Sequence, residues 1–383
     1  MKKIFFIACE SSGDHHGAEL LCALGRRRTD IEYRGLGGPR LAQTGMRLEE
    51  DMTRLSSLGL GDVLRKYLTY RKIFYRALGI VKEWKPDILI LIDSPAFNLR
   101  FAQKVRQAFP KLTMIYYISP QLWAWGGRRI HTIRRTITEM LVILPFEKDL
   151  YEKAGIACQF VGHPLLDKIP AQTGALKEGQ RIRLGFESDA IVVGLLPGSR
   201  EAEVRRILPI MRGAAELLSR SFSKIHFLVA KAPGIQKNLY ETLLGGTALS
   251  WRFFESDFYG HVSGMDFALV ASGTATLETA LLGTPFFLIY KASNSTYWAG
   301  RFLVKVRYLG LVNLLLGKTA VPEFIQYEAV PEKIARDAEN LLKSPEKQKA
   351  MKEDFKRVRE ILGSPGASEC AARAVISHLQ DAP

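Results

Sequence analysis

Short apolar runs alternate with longer helical patterns from one end of the chain to the other. The runs are rich in β-branched and aromatic residues and apolar throughout, as parallel strands are when helices cover both sides of their sheet. Predicted strands span 3–9, 32–36, 88–93, 113–119, 140–144 and 159–162 in the first half, and 191–196, 224–230, 251–254, 267–271 and 285–290 in the second. The segments between them are long enough for crossover helices. The sequence therefore predicts an α/β protein with two doubly wound, Rossmann-like domains.

A polar stretch separates the two sets of strands. It holds Pro170, Gly174 and Gly179 and has no clear period, which favours a linker. The predicted organisation is a first domain over 1–166, a linker over 167–183, a second domain over 184–362, and a C-terminal helix over 363–383 that packs back on the first domain. Ligands of open α/β sheets bind beyond the carboxyl ends of the strands, so we expect the two domains to face each other across a cleft.

The apolar stretches of the chain are short. Runs such as 88–92 and 286–290 fall far below the roughly 18–20 residues that a helix needs to cross a bilayer. The first apolar run ends at Glu10 without a cleavage site, so we expect a buried strand there rather than a signal peptide. The four cysteines are scattered and include no Cys-x-x-Cys pair. We expect a cytoplasmic protein without a disulfide framework or a zinc site.

Positive charge is concentrated in three windows. The formal net charge is +15, and the windows 63–85, 120–140 and 291–307 carry +6, +3 and +4. The first window interleaves apolar and aromatic residues at helical spacing with cations, and its predicted membrane face comprises Arg65, Lys66, Arg71, Lys72 and Phe74. Such a helix is typical of binding to an anionic membrane surface, although a solvated helix packed on its own domain is equally compatible with the pattern. No RNP-like, zinc-finger or helix-turn-helix pattern is present, so no nucleic-acid partner is expected.

Three loops of the first half place polar or aromatic residues at predicted strand ends. The strand at 3–9 runs into Glu10 and Ser12, a turn with capping residues, and the glycine-rich turn at 35–39 is compatible with either a ligand or simple backbone contact. The strand at 88–92 ends in Asp93, where partial burial raises proton affinity as a general base requires; a helix cap is the alternative role.

The aromatic stretch YYISPQLWAW lies at the end of another predicted strand and leads to Arg128. Trp123 and Trp125 can form an apolar wall for an acyl chain or a sugar face. Packing of at least one of them in the core is the alternative.

The second half has two polar loops that join a strand to a helix. In the first, Gly198 and Ser199 allow close backbone approach and Arg200 offers a bidentate clamp, with Glu203 following on the helix. The second comprises Ser272, Gly273 and Thr274, with Glu278 on the first turns of its helix. No Lys-Ser/Thr pair follows the first loop, so it is not a Walker A loop. The two loops together predict a site for a nucleoside diphosphate.

These segments resemble those of the lipid-A-disaccharide synthases, inverting glycosyltransferases of the GT-B fold. The matching stretches run in the family's order from residue 9 to 326: CESSGDHHGA, GLGGPRL, SSLGLGDVL, KPDILILIDSPAFN, YYISPQLWAW, LPFE, VGHPLLD, LLPGSREAEV, ASGTATLETALLGTP and VNLLLGKTAVPEFIQ. The resemblance implies lipid A biosynthesis at the cytoplasmic face of the Gram-negative inner membrane. The implied reaction moves 2,3-diacylglucosamine from UDP to the 6-hydroxyl of 2,3-diacylglucosamine 1-phosphate and gives a β-1,6-linked disaccharide.

The resemblance also implies roles for individual residues. Asp93 takes the position of the catalytic carboxylate, with Glu10 or His15 as alternative bases. Arg200 and Asn313 fall at donor-site positions, and Glu323 is assigned there as well. Ser12, Trp123, Trp125 and Arg128 are assigned to the acceptor and its acyl chains. The family commonly has a second carboxylate where Ala96 stands here.

Two other functions fit parts of the pattern. A UDP-sugar 2-epimerase shares the fold and nucleotide site but acts on a soluble sugar, and a basic nucleic-acid-binding protein shares only the charge. No Asp-x-Asp segment is present, so we expect catalysis without a metal or other cofactor. The sequence leaves the oligomeric state open.

Overall fold

The structure is a computed structural model. It describes residues 1–57, 63–124, 126–171, 174–294, 297–298 and 306–379, with side chains at all of these except 55–57, 63–66 and 174–176. Of the residues predicted to form sites, Trp125 and the side chains of Arg65 and Lys66 lie outside this part. So does most of the basic window 291–307.

Two compact units make up the chain, each built on one parallel sheet. Unit 1 comprises Met1–Asp167 and the C-terminal segment from Leu362, and unit 2 comprises Lys168–Ile361. The first sheet has the order β3-β2-β1-β4-β5-β6-β7 and the second β10-β9-β8-β11-β12-β13. The strands are β1 Lys2–Ala8, β2 Ile31–Gly37, β3 Arg47–Asp51, β4 Ile88–Ile92, β5 Thr113–Tyr117, β6 Glu139–Val142, β7 Cys158–Phe160, β8 Ile191–Leu196, β9 Ile225–Ala230, β10 Trp251–Phe254, β11 Phe267–Ala271, β12 Phe286–Tyr290 and β13 Glu323–Ile325. The predicted pair of parallel α/β domains is confirmed.

Helices connect successive strands in both units. They are α1 Ser11–Arg27, α2 Pro39–Gln43, α3 Met52–Ser57, α4 Val63–Trp84, α5 Pro95–Ala108, α6 Arg129–Thr136, α7 Pro145–Lys153, α8 Leu165–Lys168, α9 Gly174–Arg183, α10 Glu201–Ser221, α11 Lys237–Leu244, α12 Phe258–Ser263, α13 Thr274–Leu281, α14 Leu311–Leu316, α15 Pro331–Leu342, α16 Pro345–Ile361 and α17 Ala367–Ser377, with a 3₁₀ turn at Gln326–Glu328. Within the described part, no helix combines the length and the apolar character needed to cross a membrane.

The central strands are buried on both faces. All five residues of β4 are buried, and they alternate between two core clusters. Leu89 and Leu91 pack with α4 and α5, whereas Ile88, Ile90 and Ile92 pack with α1 and α17. This alternation is the two-residue period of a strand covered by helices on both sides.

Helix α17 closes one face of the first sheet. It packs on α1, where Arg26 and Arg27 both form ion pairs with Glu369, at 2.5 and 2.9 Å. The C-terminal helix is therefore a structural part of unit 1.

The structure corrects three predictions of local structure. Strands β3 and β13 were not predicted: β3 is a polar edge strand with the sequence RLEED, and β13 has only three residues. The predicted linker 167–183 contains α9. That helix is tied to unit 2 by Lys177 and Arg181, which pair with Asp266 at 2.6 and 2.7 Å.

Two predicted strands end early for a common reason. Asp93, Ser94 and Ile118 have φ angles of 47°, 44° and 62°, which lie in the left-handed region that a strand cannot contain. The chain turns sharply at these positions, at the carboxyl ends of β4 and β5.

Candidate active site

Asp93 stands on a clamped turn at the end of β4. Its backbone carbonyl accepts hydrogen bonds from Asn98 Nδ2, at 2.7 Å, and from the Tyr116 hydroxyl. Asn98 Nδ2 also donates to the carbonyl of Ile92, at 3.0 Å. Asn98 and Tyr116 are completely buried, so the left-handed turn is held by the core. Sequence reasoning missed both residues, although Asn98 lies only three residues after Pro95, the first residue of α5.

The carboxylate of Asp93 has a raised proton affinity. Burial raises its pKa most, and the nearby Glu10 adds to the increase, whereas a backbone hydrogen bond from Ser94 and the neighbouring His16 act in the opposite direction. Because β1 pairs with β4, Glu10 and Asp93 follow neighbouring strand ends. Glu10 itself is exposed at the N-cap of α1, as is Ser12 in the first turn. Of these carboxylates, Asp93 has the environment of a base.

The glycine-rich turn at 35–39 has a structural explanation. The buried carboxylate of Asp14 accepts hydrogen bonds from the backbone N–H groups of Gly38, Arg40 and Leu41, at 2.7, 3.1 and 3.1 Å. A Cβ at Gly38 would lie only 2.7 Å from an oxygen of Asp14. The start of α2 is therefore capped by the protein's own carboxylate. His15, an alternative base, contacts Arg40 at 2.6 Å and Glu19 at 3.2 Å.

A large cavity of about 1110 Å³ opens beside Glu10 and Ser94. Its floor is aromatic: Phe74 packs edge-on against Phe97 and Phe101, with ring centroids 5.4 and 5.3 Å apart. Six cations contribute to its lining, namely Arg71, Arg100, Lys104, Arg106, Arg129 and Arg135. Among its described lining residues, Glu10 is the only carboxylate. The cavity suits a molecule with an apolar body and a negatively charged group.

The outer face of α4 differs from the predicted one. Phe74 was predicted to face a membrane, but it is only partly exposed and packs against the core beside the cavity. Among the described side chains of α4, the exposed large apolar ones are Tyr67, Leu68 and Tyr75, at 58%, 54% and 55% of their surface. Arg71 and Lys72 are exposed as predicted, and the Arg71 guanidinium lies over the Tyr75 ring at 5.9 Å.

Trp123 is anchored by a buried carboxylate. Its Nε1 donates to Glu147 Oε1 at 3.1 Å, and its ring packs edge-on against Phe146. The same oxygen accepts a hydrogen bond from Ser119 at 2.9 Å, and Ser119 also contacts the Tyr151 hydroxyl. Trp123 is thus held within its own domain but stays half-buried, and its contact with the acceptor stays a prediction. Arg128 is exposed just before α6.

Burial raises the pKa of Glu147 to about 7, although the hydrogen bonds from Ser119 and Trp123 oppose the increase. Its unperturbed value is 4.5. Between about pH 4.5 and pH 7, the carboxyl group of Glu147 is therefore protonated in the folded protein but ionised in the unfolded chain. For this group, stability is therefore highest below about pH 4.5 and falls as the pH rises through about 7.

We expect Glu147→Gln to remove this pH dependence. The wild-type free energy of unfolding should fall by about 2 to 3 kcal/mol more between pH 5 and pH 8 than that of the variant. Urea titrations followed by tryptophan fluorescence at both pH values measure the difference. Glu152→Gln, an exposed change on the same helix, serves as the control. Equal changes in wild type and Glu147→Gln would contradict the assignment.

In unit 2, the loop after β8 is capped by one of the predicted ligand residues. Glu203 Oε2 accepts hydrogen bonds from the backbone N–H groups of Ser199 and Arg200, at 3.2 and 3.3 Å. Gly198 has a φ of 109°, and a Cβ there would lie 2.5 Å from the same oxygen. Glu203 therefore lies where an anion bound to these amides would lie. The Arg200 side chain is 83% exposed and contacts Glu203 Oε1 at 3.4 Å.

The loop after β11 lies at the same sheet edge, because β8 and β11 are neighbours. Gly273 and Thr274 are exposed at the start of α13, and Ser272 is half-buried beside them. Glu278 accepts a hydrogen bond from the Tyr259 hydroxyl at 3.0 Å, and burial raises its pKa. The structure thus brings the two predicted nucleotide loops to one edge of the second sheet.

Asn313 and Glu323 form a structural unit of their own. Asn313 Nδ2 donates to the Val321 carbonyl and to Glu323 Oε1, at 2.7 and 2.8 Å, and its Oδ1 accepts from two backbone N–H groups. Glu323 also accepts hydrogen bonds from the backbone of Leu309 and Gly310. These contacts shape the loop between 306 and 323, and Asn313 has its hydrogen-bonding groups occupied within the protein. Contact of Asn313 and Glu323 with the donor stays a prediction.

Among the side chains that the structure describes, no group of three or more His, Cys, Asp or Glu residues is arranged to hold a metal ion.

Solved structures with this architecture include enzymes that act on nucleotide sugars. A UDP-N-acetylglucosamine 2-epimerase from Neisseria meningitidis bound to UDP-GlcNAc is 11% identical, with a TM-score of 0.64 and coverage of 100% of both chains. The calicheamicin glycosyltransferase CalG4 is 13% identical, with a TM-score of 0.63 and the same coverage. Two Rossmann-like units with polar loops at the carboxyl edges of their sheets place the chain in the GT-B fold class.

Sequence similarity identifies the family. The profile of the lipid-A-disaccharide synthetase family matches residues 4–377. The lipid-A-disaccharide synthase of Syntrophus aciditrophicus is 41% identical, over 97% of this chain and 96% of that protein, and the Myxococcus xanthus enzyme is 38% identical over 98% and 97%. The chain belongs to the lipid-A-disaccharide synthase family and is a hexosyltransferase. The 2-epimerases resemble it in fold alone.

Proposed function

We propose that the protein transfers a 2,3-diacylglucosamine unit from its UDP derivative to the 6-hydroxyl of 2,3-diacylglucosamine 1-phosphate. The products are UDP and the β-1,6-linked disaccharide of lipid A. The observation that supports this most directly is the cavity beside Glu10 and Ser94, which combines aromatic walls with a basic lining. An acceptor with acyl chains and a phosphate has the matching chemistry, whereas a soluble sugar does not.

Asp93 acts as the general base in this proposal. It takes the proton of the acceptor 6-hydroxyl as that oxygen forms a bond to the anomeric carbon and the bond to UDP breaks. The raised pKa of Asp93 suits proton transfer. The clamp of Asn98 and Tyr116 on its backbone holds the carboxylate in place before substrate binds, which limits reorganisation during the reaction.

Unit 2 binds the UDP portion. Negative charge develops on the diphosphate as the donor bond breaks, and Arg200 with the amides of Ser199 and the start of α13 would stabilise it. The Glu203 carboxylate accepts the hydrogen bonds of the Ser199 and Arg200 backbone N–H groups in the structure. The diphosphate therefore displaces the Glu203 carboxylate from these groups as it binds. We propose that these groups meet the charge without a metal ion, so EDTA should leave the rate unchanged.

The decisive experiment supplies both lipid substrates to the purified protein in detergent. UDP release together with disaccharide formation, each dependent on the acceptor, supports the proposal. Conversion of the UDP-sugar without acceptor would indicate a 2-epimerase instead. No product from the pair would overturn the proposal.

We further propose that α4 docks on the anionic cytoplasmic surface of the inner membrane. Its exposed Tyr67, Leu68 and Tyr75 provide an apolar contact, and Arg71 and Lys72 lie on the same helix. Helices that present aromatic and basic residues together bind at the interface of acidic bilayers. The cavity for the acceptor opens beside this helix, which would let a lipid substrate reach it from the surface.

The double variant Arg71→Gln, Lys72→Gln should weaken binding to vesicles that contain phosphatidylglycerol by about thirtyfold, because each cation near the surface contributes about 1 kcal/mol. Adding Arg65→Gln and Lys66→Gln should weaken it further, while UDP affinity stays the same. Vesicle sedimentation at fixed ionic strength measures the effect. Lys347→Gln, Lys349→Gln, an equal change of charge on the exposed side of α16, is the control. Equal losses in both double variants would mean that only net charge matters.

A further inference from the structure

Unit 2 contains a second cavity, of about 260 Å³, at the opposite edge of its sheet from the nucleotide loops. Ser263 and Met265 precede β11, and Gly283 and Thr284 precede β12, so this cavity lies at the amino ends of these strands. Ser272 and its neighbours follow β11 at the other end. A five-residue strand of roughly 3.3 Å per residue separates the two positions.

The lining of this cavity is strongly basic. Lys177 comes from α9, and Lys352, Lys356 and Arg359 lie on α16. None of the described residues that line it is an Asp or Glu. A compact group of four cations around a cavity repels itself unless anions are near.

The nearby carboxylates leave positive charge uncompensated. Asp266 pairs with Lys177 but is shared with Arg181, and Glu353 pairs with Lys356 on the exposed side of α16. Arg359 donates to the backbone carbonyls of Ile169, Pro170 and Leu281 and has no carboxylate partner among the described residues.

Lys352 is the clearest case. It is half-buried, and within the described part of the chain it has no hydrogen-bond or ion-pair partner. Burial lowers its pKa most, and Lys177 lowers it further, while Asp266 acts in the opposite direction. Desolvating an ammonium group beside another cation costs free energy that a bound anion would recover.

We propose that this cavity binds a small soluble anion that carries a phosphate group, either inorganic phosphate or a small phosphomonoester. Lysine ammonium groups bind phosphate as point charges, and Lys352 and Lys177 would contact the phosphate oxygens. The volume leaves room for a substituent, which would contact Met265, Leu282 and Phe355. The ligand would lie near the C-terminal end of α13, opposite the nucleotide loop. There Arg359 donates hydrogen bonds to the carbonyl of Leu281 and to that of Ile169, at the start of unit 2.

Calorimetric titration of the full chain with inorganic phosphate and with glycerol 3-phosphate, at constant ionic strength, tests this assignment. The expected result is binding at millimolar concentration or tighter, weakened at least tenfold in Lys352→Gln. Lys347→Gln, the same change on the exposed side of α16, should bind like wild type. Lys352→Arg, which keeps the charge, should retain most of the affinity and shows that the position tolerates substitution.

The nucleotide loops are a competing phosphate site, and Arg200→Ala separates the two. The proposal requires that Arg200→Ala keep the Lys352-dependent binding. Phosphate binding that Lys352→Gln leaves intact, or that only Arg200→Ala removes, would overturn the proposal. The absence of binding at phosphate concentrations tenfold above the millimolar range would also overturn it. Because these measurements use no lipid substrate, their outcome does not depend on the proposed glycosyl transfer.

Discussion

Asp93→Asn is expected to lower kcat by about 10²- to 10⁴-fold while the protein stays folded and UDP affinity is unchanged. The amide has nearly the shape of the carboxylate but cannot take a proton from the acceptor hydroxyl. The contacts that hold the turn, from Asn98 and Tyr116, involve the backbone carbonyl of Asp93 and not its side chain. The substitution therefore removes the base without removing the clamp.

Glu10→Gln is the matched control, because Glu10 follows the neighbouring strand and is the alternative base. We expect it to change the rate much less than Asp93→Asn, since Glu10 is exposed. A large loss in Glu10→Gln with near-normal turnover in Asp93→Asn would exchange the two assignments. Near-normal turnover in both would mean that neither is the base.

The pH dependence of the rate gives a second readout of the same assignment. A base must be deprotonated, so kcat/KM should fall as the pH drops through the pKa of Asp93. Since burial and Glu10 raise that pKa, the fall should begin at a higher pH than for an ordinary aspartate. Glu10→Gln removes a neighbouring negative charge and should therefore shift the fall to lower pH, an effect that a purely structural role of Glu10 would not produce.

The fold was predictable from sequence wherever burial on both faces left a continuous apolar run, as in β4 and β11. It was not predictable at two of the four edge strands that the structure describes, β3 and β13, whereas the edge strands β7 and β10 were predicted. β3 is polar and β13 has only three residues, so neither carries an apolar pattern, and the formation of each depends on its one neighbouring strand.

The site was only partly predictable because sequence shows which polar residues follow a strand, but not whether their hydrogen bonds are already satisfied. Glu203 and Asn313 were both assigned to the donor, yet one caps its own helix and the other holds a loop together. Glu147 was not assigned any role, because Leu144 at the N-cap has no side-chain acceptor and the Ser/Thr-x-x-Glu pattern of a capping box is missing; only the bond from the Leu144 N–H to the Glu147 carboxylate is made.

For Arg200→Ala we expect a loss of about 10²- to 10³-fold in kcat/KM, the scale of removing one charge-stabilising group from a transition state. UDP should also bind at least about tenfold more weakly, which corresponds to 1.4 kcal/mol. The Arg200 side chain is largely exposed and has only a 3.4 Å contact with Glu203, so it is available for a diphosphate at little cost in existing interactions. Equilibrium titration with UDP and steady-state kinetics measure the two effects.

Arg205→Ala is the control for Arg200→Ala because it removes the same charge five residues further on, within α10, where Arg205 pairs with Glu201 at 2.7 Å. It should leave UDP affinity nearly unchanged. Glu203→Gln tests the local competition: if the Glu203 carboxylate occupies the amides that receive the diphosphate, its neutralisation should tighten UDP binding. Unchanged UDP affinity in Arg200→Ala would show that the loop after β8 does not hold the diphosphate, and the charge of the leaving group would then have to be met from the loop after β11.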